Sequence, residues 1–323
     1  QILINHYQEL FHSANPPNIE QVLATIPTVI TLDLNNMLMA EFVREEVDEP
    51  LKQMDHLKAP GPDGLPPLFF QKFWPTIGED VSQAVLTCLN SGSMPSTINR
   101  TFITLIPKVK NPGRVSDFHP IALCNIIYKL VSKVIANRLK IVLPFIIFES
   151  QSAFQSNKAI LDNILVAFEL LHQMKTQKSK KADFMTLKLD MSKAYYDRVE
   201  WRFLMEIMRK MGFCESWIAI IYECVSTVSY SILVNGEPKG NIYPTRGIKQ
   251  GDPLSPYLFL LCSEGLNRML QQVATNKSIN GYSLCKNGPR ITHIFFADDS
   301  LPFCRARMED LQVIQHILSV YEQ

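Results

Sequence analysis

No apolar run in this sequence approaches the ~20 residues that cross a bilayer. The longest, at 141–148 and 257–262, fall far short, so no membrane partner is expected. A basic start followed by an apolar stretch is missing too: the first residues read QILINHYQELFHS, which predicts no secretory leader. Charge of one sign is lacking. The formal net charge is +1, which excludes a global basic footprint and leaves a nucleic-acid partner to be argued from local charge. CxxC pairs are absent, and the seven cysteines (Cys88, Cys124, Cys214, Cys224, Cys262, Cys285, Cys304) are scattered. They read as buried small hydrophobes in a reducing compartment, so neither a zinc site nor a disulfide-linked partner is expected. The histidines at 6, 12, 56, 172, 293 and 316 show no metal-ligand spacing.

What is present is core material. The chain has 323 residues, 46% of them hydrophobic, enough for one large or two ordinary domains. It begins without Met and stops inside a helical pattern, so it reads as a fragment. Residues 1–56 form apolar and acidic segments without recognisable chemistry. KAPGPDGLPPLFFQKFWP then gives tight turns and an aromatic helix for a core. FITLIPKV has strand composition, and SDFHPIALCNIIYKLVSKVIANRLKIVLP reads as a loop followed by a helix. In that helix Leu130, Val134 and Ile135 recur at helical spacing, with Lys129, Lys133, Arg138 and Lys140 on the polar side. A further helix at 162–174 leads into the basic loop KTQKSKKAD. FMTLKLDM reads as one strand, WRFLMEIMRKMGF as a helix, and SYSILVNG opens a hairpin around Asn235–Gly236. GDPLSPYLFLLCSEGLNRMLQQV is a helix begun through prolines, ITHIFFADDSLPFC two short strands joined at the aspartates, and MEDLQVIQHILSVYEQ helical to the end. Mixed elements without βαβ alternation predict an α+β fold.

Two segments set carboxylates where a strand ends: Asp190 after FMTLKL, and Asp298–Asp299 after ITHIFFA. Any lone aspartate there is more often a plain turn former. Adjacent aspartates at the end of an apolar strand are less ordinary, because converging carboxylates repel unless cations lie between them. Hard oxygen ligands suit Mg²⁺, and two such ions serve in-line phosphoryl transfer.

FADDS is similar to the aromatic-x-Asp-Asp signature of reverse transcriptases, and LDMSKAY resembles their first carboxylate motif. RGIKQGDPLSPYLF resembles the loop–helix motif between the two. With PGPDG, LIPK, DFHPIAL and SAFQSNKAILDN, the likeness runs from about residue 57 to the C-terminus. It is strongest to LINE-type (non-LTR) retrotransposons, the plant branch in particular. The resemblance implies a right-hand polymerase with an antiparallel palm sheet packed on helices. Residues 1–56 would be an N-terminal extension, 57–183 mainly fingers, and 184–323 mainly palm, stopping before the thumb and without an endonuclease. The implied activity is RNA-directed DNA polymerisation, with an RNA template, a DNA primer and a dNTP as partners. Asp190, Asp298 and Asp299 would be catalytic and bind two Mg²⁺ ions, or Mn²⁺ in their place. Tyr195 would be the gate against a ribose 2′-hydroxyl, Gln250 and Gly251 would contact the nucleotide and its template partner, and Lys108 and Lys158 would approach phosphates. Nuclear or cytoplasmic work is implied by the family alone.

Local differences from the family set further expectations. Tyr195–Tyr196 doubles a single aromatic, and one extra residue in a continuous helix would rotate Asp197, Glu200 and Trp201 by about 100°. His119 stands where the family usually has arginine, Ser156-Asn157-Lys158 replaces a usual Pro-Gly-Arg, and Pro302 takes a strand leucine, removing a ladder donor. Two rival readings use the same residues. One is a degenerate, inactive remnant with passive nucleic-acid binding; the other is a protein-interaction module built on the apolar N-terminal third.

Overall fold

The computed structural model describes residues 1–155, 158–176, 183–190, 195–285, 288–297 and 299–322. The order of elements begins with helices α1 (Ile2–Leu10), α2 (Ile19–Leu23), α3 (Leu32–Leu38), α4 (Glu45–Lys52) and α5 (Pro67–Ser91). Strands β1 (Arg100–Pro107) and β2 (Phe118–Cys124) follow, then α6 (Ile126–Ile146) and α7 (Ile160–Thr176). Next come β3 (Phe184–Thr186), β4 (Leu189–Asp190), α8 (Tyr195–Arg198), α9 (Trp201–Met211) and α10 (Glu215–Ser226). The chain continues with β5 (Ser229–Val234), β6 (Glu237–Ile242), α11 (Ser255–Thr275), β7 (His293–Phe296), β8 (Asp299–Arg305) and α12 (Met308–Tyr321). The content is mixed α and β with largely antiparallel sheets.

Two compact units emerge, each built from three stretches of chain. The first comprises Gln1–Ala14, Ile30–Val142 and Tyr196–Leu258; the second comprises Asn15–Val29, Leu143–Tyr195 and Phe259–Gln323. The first holds a sheet of order β2-β1-β5-β6, in which β1 and β5 run parallel and the other pairs antiparallel. Tyr7 and Phe11 bury their rings beside Tyr230, Ile232 and Ile242 of that sheet, which ties residues 1–14 into the unit's core.

FHPIALC is a strand, not the expected loop. Pro120, Ala122 and Cys124 are buried at alternate positions, the period of a half-buried strand. Proline is tolerated because β2 is the edge of its sheet.

The polar side assigned to α6 also needs correction, since Lys129 and Arg138 are both buried. Arg138 donates to the carbonyls of Leu38, Ala40 and Glu41, forks onto the Glu46 carboxylate at 2.7 and 2.6 Å, and lies over the Phe42 ring. A planar fork with five donors suits this task better than an ammonium would. The pair holds the Glu46 carboxyl below its ordinary value against the opposing effect of burial.

Met205, Met208 and Met211 fill the core under α9, as expected. Five of the seven cysteines are buried, but Cys285 is exposed and Cys214 half-buried, against the expectation for the whole set. Phe70 is buried on α5, whereas Phe73 of the same aromatic run is exposed.

In the second unit β8 is central, with β7 on one side and both β3 and β4 on the other. FMTLKLDM was expected to be one strand and is two. The register is continuous across the gap, with Thr186 opposite Phe303 and Leu189 opposite Ser300. Between them Leu187 donates to the Pro302 carbonyl, and Pro302 has no N–H to return. Leu170, Tyr282, Ile294 and Phe303 form the core against this sheet.

Arg138→Leu is expected to lower the first unit's unfolding free energy by about 3–5 kcal/mol, because it strands a half-buried carboxylate and three carbonyls. Urea denaturation measures the loss; a change below about 1 kcal/mol would refute the role given to this side chain.

Candidate active site

The acidic segments meet on β8. Asp190 of β4 is the ladder partner of Asp299, and Phe296 of β7 is the partner of Asp299 on the other side. Two residues therefore connect β7 to β8. Ala297 has φ +49, an uncommon left-handed backbone for a residue with a Cβ, while Asp298 lies outside the described residues. Backbone held this way concentrates where a turn must present particular groups. The Asp299 carboxylate is about half-exposed and lies 3.3 Å from the Lys188 ammonium. Like charges at directly opposed ladder positions destabilise a sheet unless a cation offsets them. The donor chemistry thus fits a hard divalent cation, and the Lys188 contact marks the position as one that takes positive charge. Among the described residues no group of three His, Cys, Asp or Glu side chains stands ready to hold a metal.

Lys158 belongs to the same unit. Its Nζ donates to the Glu149 and Gln151 carbonyls at 3.2 and 3.0 Å, which leaves one donor, and burial lowers its pKa. Tyr195 begins α8, the last residue of this unit before the chain passes into the other.

The remaining expected residues lie in the first unit. Lys108 continues β1, where its backbone N–H meets the Asp117 carbonyl at 2.7 Å and its exposed Nζ reaches the Ser116 carbonyl at 3.4 Å. His119, on the neighbouring strand, is kept neutral by burial and by the Lys108 charge.

Gln250 and Gly251 sit in a loop braided onto its neighbours. The Gln250 carbonyl accepts from Ala122 of edge strand β2 at 2.8 Å. Gly251 has φ +105, and a Cβ there would come within 3.2 Å of the Ala122 oxygen, so this position requires glycine. Gly247, with φ +91, is bound at its N–H by the Val199 carbonyl and at its oxygen by Trp201 Nε1. Ile248 donates to the Tyr196 carbonyl at 2.7 Å.

Two charges flanking the Gln-Gly pair were missed from sequence. Lys249 is buried, bonded to Asn99 Oδ1, with its Nζ 3.1 Å from the centre of the Tyr128 ring. Burial lowers its pKa while Cys124 and Asp252 oppose that effect. Asp252 is buried as well, taking the Tyr128 hydroxyl at 3.3 Å and the Ser255 hydroxyl at 3.2 Å at the start of α11. The signal was available: opposite charges bracket Gln-Gly inside the otherwise apolar stretch IKQGDPL. Both side chains meet at Tyr128, one over its ring and one at its hydroxyl.

The doubled tyrosine does not carry a rotation through one long helix. The short α8 ends at Arg198, Val199 and Glu200 are non-helical, and α9 starts afresh at Trp201. Glu200 is held by Ser13, Ala14 and Arg246, and Trp201 is buried. Asp197 lies on α8 with burial pushing its carboxyl up to about 6, opposed by Lys108 and Arg198.

The chain matches the reverse transcriptase (RNA-dependent DNA polymerase) family over residues 106–323. It belongs to that family. It is 28% identical over 317 residues to the Transposon TX1 uncharacterized 149 kDa protein of Xenopus laevis, covering 98% of this chain and 23% of that protein. It is 28% identical over 258 residues to the Retrovirus-related Pol polyprotein from type-2 retrotransposable element R2DM of Drosophila melanogaster, covering 79% of this chain and 22% of that protein. An uncharacterized mitochondrial protein of Arabidopsis thaliana shares 46% identity over 68 residues, which is 21% of this chain and 56% of that one. The chain thus spans under a quarter of the length of the Xenopus and Drosophila relatives. Reverse transcriptases as a family use divalent metal ions and engage an RNA template and a primer. No helix among the described residues is long and apolar enough to cross a membrane.

The raised Asp197 carboxyl has a pH signature. The folded chain holds this proton more tightly than the unfolded one, so stability falls as pH rises from about 4 to about 6 and stays lower above. Asp197→Asn should therefore be near neutral at pH 4 and stabilising by up to about 3 kcal/mol at pH 7.5, read by urea denaturation at both values. An equal effect at the two pH values would contradict the burial of a carboxylate here.

Proposed function

We propose that the chain is the polymerase portion of a LINE-type, non-LTR retrotransposon protein. In this reading it extends a DNA primer 3′-hydroxyl with dNTPs along an RNA template. The observation that carries the reading is the ladder that sets Asp190 opposite Asp299 at a two-residue turn containing Asp298, in a chain of the reverse transcriptase family. The names of the Xenopus and Drosophila relatives, a transposon protein and a retrotransposable-element polyprotein, support the retroelement setting.

In this reading residues 57–183 serve mainly as fingers and 184–323 mainly as an antiparallel palm packed on helices. Asp190, Asp298 and Asp299 hold two Mg²⁺ ions, for which Mn²⁺ can substitute. Bound there, the ions activate the primer hydroxyl and offset charge on the leaving pyrophosphate. The chain's own residues position the partners. Gln250 and Gly251 offer a backbone fixed by the edge of β2, which a Cβ at position 251 would crowd. Tyr195 excludes a ribose 2′-hydroxyl, and Lys108 and Lys158 meet phosphates as point charges.

Primer extension on an RNA template tests the reading. Asp298→Ala should reduce extension by at least about a thousandfold, and Tyr195→Ala should relax discrimination between dNTP and rNTP by tenfold or more. Extension that survives Asp298→Ala unchanged sinks the metal assignment, whereas no extension by the unsubstituted chain favours the inert remnant.

A further inference from the structure

The sequence stretch SAFQSNKAILDN, which directly follows Gln151, resembles a family motif, yet apart from Lys158 its residues have no part in the chemistry above. The second unit shows where they go. The segment before α7 runs alongside β7: Gln151 bridges Phe295 in parallel, and Phe295 donates its N–H to the Ser150 carbonyl at 2.9 Å. Asn163, on the first turn of α7, donates to both the Ser150 carbonyl at 3.1 Å and the Phe295 carbonyl at 2.7 Å. The Ser150 hydroxyl bonds Asn267 Oδ1, which also takes His293 Nε2 from the start of β7. The strand that leads into the acidic turn is thus pinned along its length.

The last pin is the Gln151 side chain. It is 2% exposed, and its Oε1 accepts from the Ala297 N–H at 3.1 Å and from the Ala153 N–H at 2.9 Å. Two N–H donors on one atom fix that atom as the oxygen and settle the orientation of the amide. The Gln151 carbonyl is held in turn by Gln155 Nε2 at 2.7 Å and by Lys158 Nζ at 3.0 Å. Ala297 is the residue with φ +49, immediately before Asp298. A left-handed alanine costs roughly 1–2 kcal/mol and persists where the surroundings over-determine it. A buried acceptor on its N–H is such a constraint. Among the described residues the Gln151 Nε2 has no partner. A buried amide with an unmet donor is expensive, so this side chain is retained at a cost to stability that its oxygen's work on the turn would justify.

We propose that Gln151, backed by Asn163, is a positioning residue of the acidic turn: its amide oxygen holds the Ala297 backbone in the left-handed conformation from which the chain enters β8 at Asp299. The proposal rests on the reading of that turn as the metal-bearing site. It gives Gln151 and the motif that follows it a role in shaping the palm hairpin, and gives Lys158 a second role as the strap behind Gln151.

Hydrogen–deuterium exchange on the whole chain tests the clamp without requiring catalysis. Gln151→Met keeps length and bulk but removes the acceptor, whereas Gln151→Glu keeps an acceptor oxygen at the same reach. Exchange in peptides covering 293–300 should rise at least tenfold in Gln151→Met, with peptides of the first unit unchanged, and stay within about threefold of wild type in Gln151→Glu. Asn163→Ala, at a half-buried position, should loosen the same peptides and serves if Gln151→Met does not fold. In primer extension Gln151→Met should lower kcat at least tenfold with the dNTP KM unchanged. Wild-type exchange at 293–300 in both Gln151→Met and Asn163→Ala would overturn the proposal, as would an even rise along the entire chain. If instead the exchange pattern holds but Asp298→Ala still extends primers, the clamp stands and the reading of the turn as the metal site falls.

Discussion

Everything assigned to the second unit depends on one strand paired on both sides. β8 takes β7 along one edge and β3 and β4 along the other, and Asp299 begins it as ladder partner of both Phe296 and Asp190. Hydrogen bonding thereby forces together acidic positions that electrostatics would separate. Sheet formation is repaid by buried residues such as Ile294 and Phe303 further along the same strands. The repulsion is left concentrated at the turn, where a cation can relieve it. Lys188 already supplies one positive charge there.

The first unit solves a different problem, which is to hold a loop with little regular structure of its own. Gln250 and Gly251 are fixed by the β2 edge and flanked by Lys249 and Asp252, both buried and both in contact with Tyr128. Buried charges of opposite sign are costly singly and tolerable when each finds polar or aromatic partners, as both do at Tyr128. Arg138 plays a comparable part for α3 and α4, collecting carbonyls that have no strand or helix partner. The Arg138 hub thus spends a buried polar group on fixing backbone where no ladder does so.

The parts of this arrangement with a strong period were legible from sequence. An apolar run closed by Ala-Asp-Asp announced the β7–β8 hairpin, and the Asn-Gly pair announced β5–β6. Helices α5, α7, α9, α11 and α12 followed from spacing and from their prolines and glycines. What escaped detection was set by tertiary context. β2 hid behind a proline that only its edge position excuses, and the break between β3 and β4 is dictated by Pro302 on another strand, over a hundred residues away. Lysine and arginine on α6 looked solvent-facing because their burial depends on carbonyls and carboxylates elsewhere in the chain. The candidate carboxylates were named from motif and resemblance, and Lys249 and Asp252 left a local charge pattern around Gln-Gly, but Gln151 and Asn163 act through contacts that no local pattern encodes.

The doubled tyrosine is the one sequence feature that the fold softens. Because α8 stops after Arg198, the extra residue falls in a single short turn, and Trp201 seats itself through its own bond to Gly247. The central claim, that the acidic turn is a divalent-metal site, is tested most directly by titrating Mn²⁺ into the chain with primer–template and dNTP present and following water-proton relaxation. The account predicts Mn²⁺ binding in the wild type that weakens at least tenfold in the Asp190→Asn/Asp299→Asn double variant. Equal binding by the two proteins would contradict it.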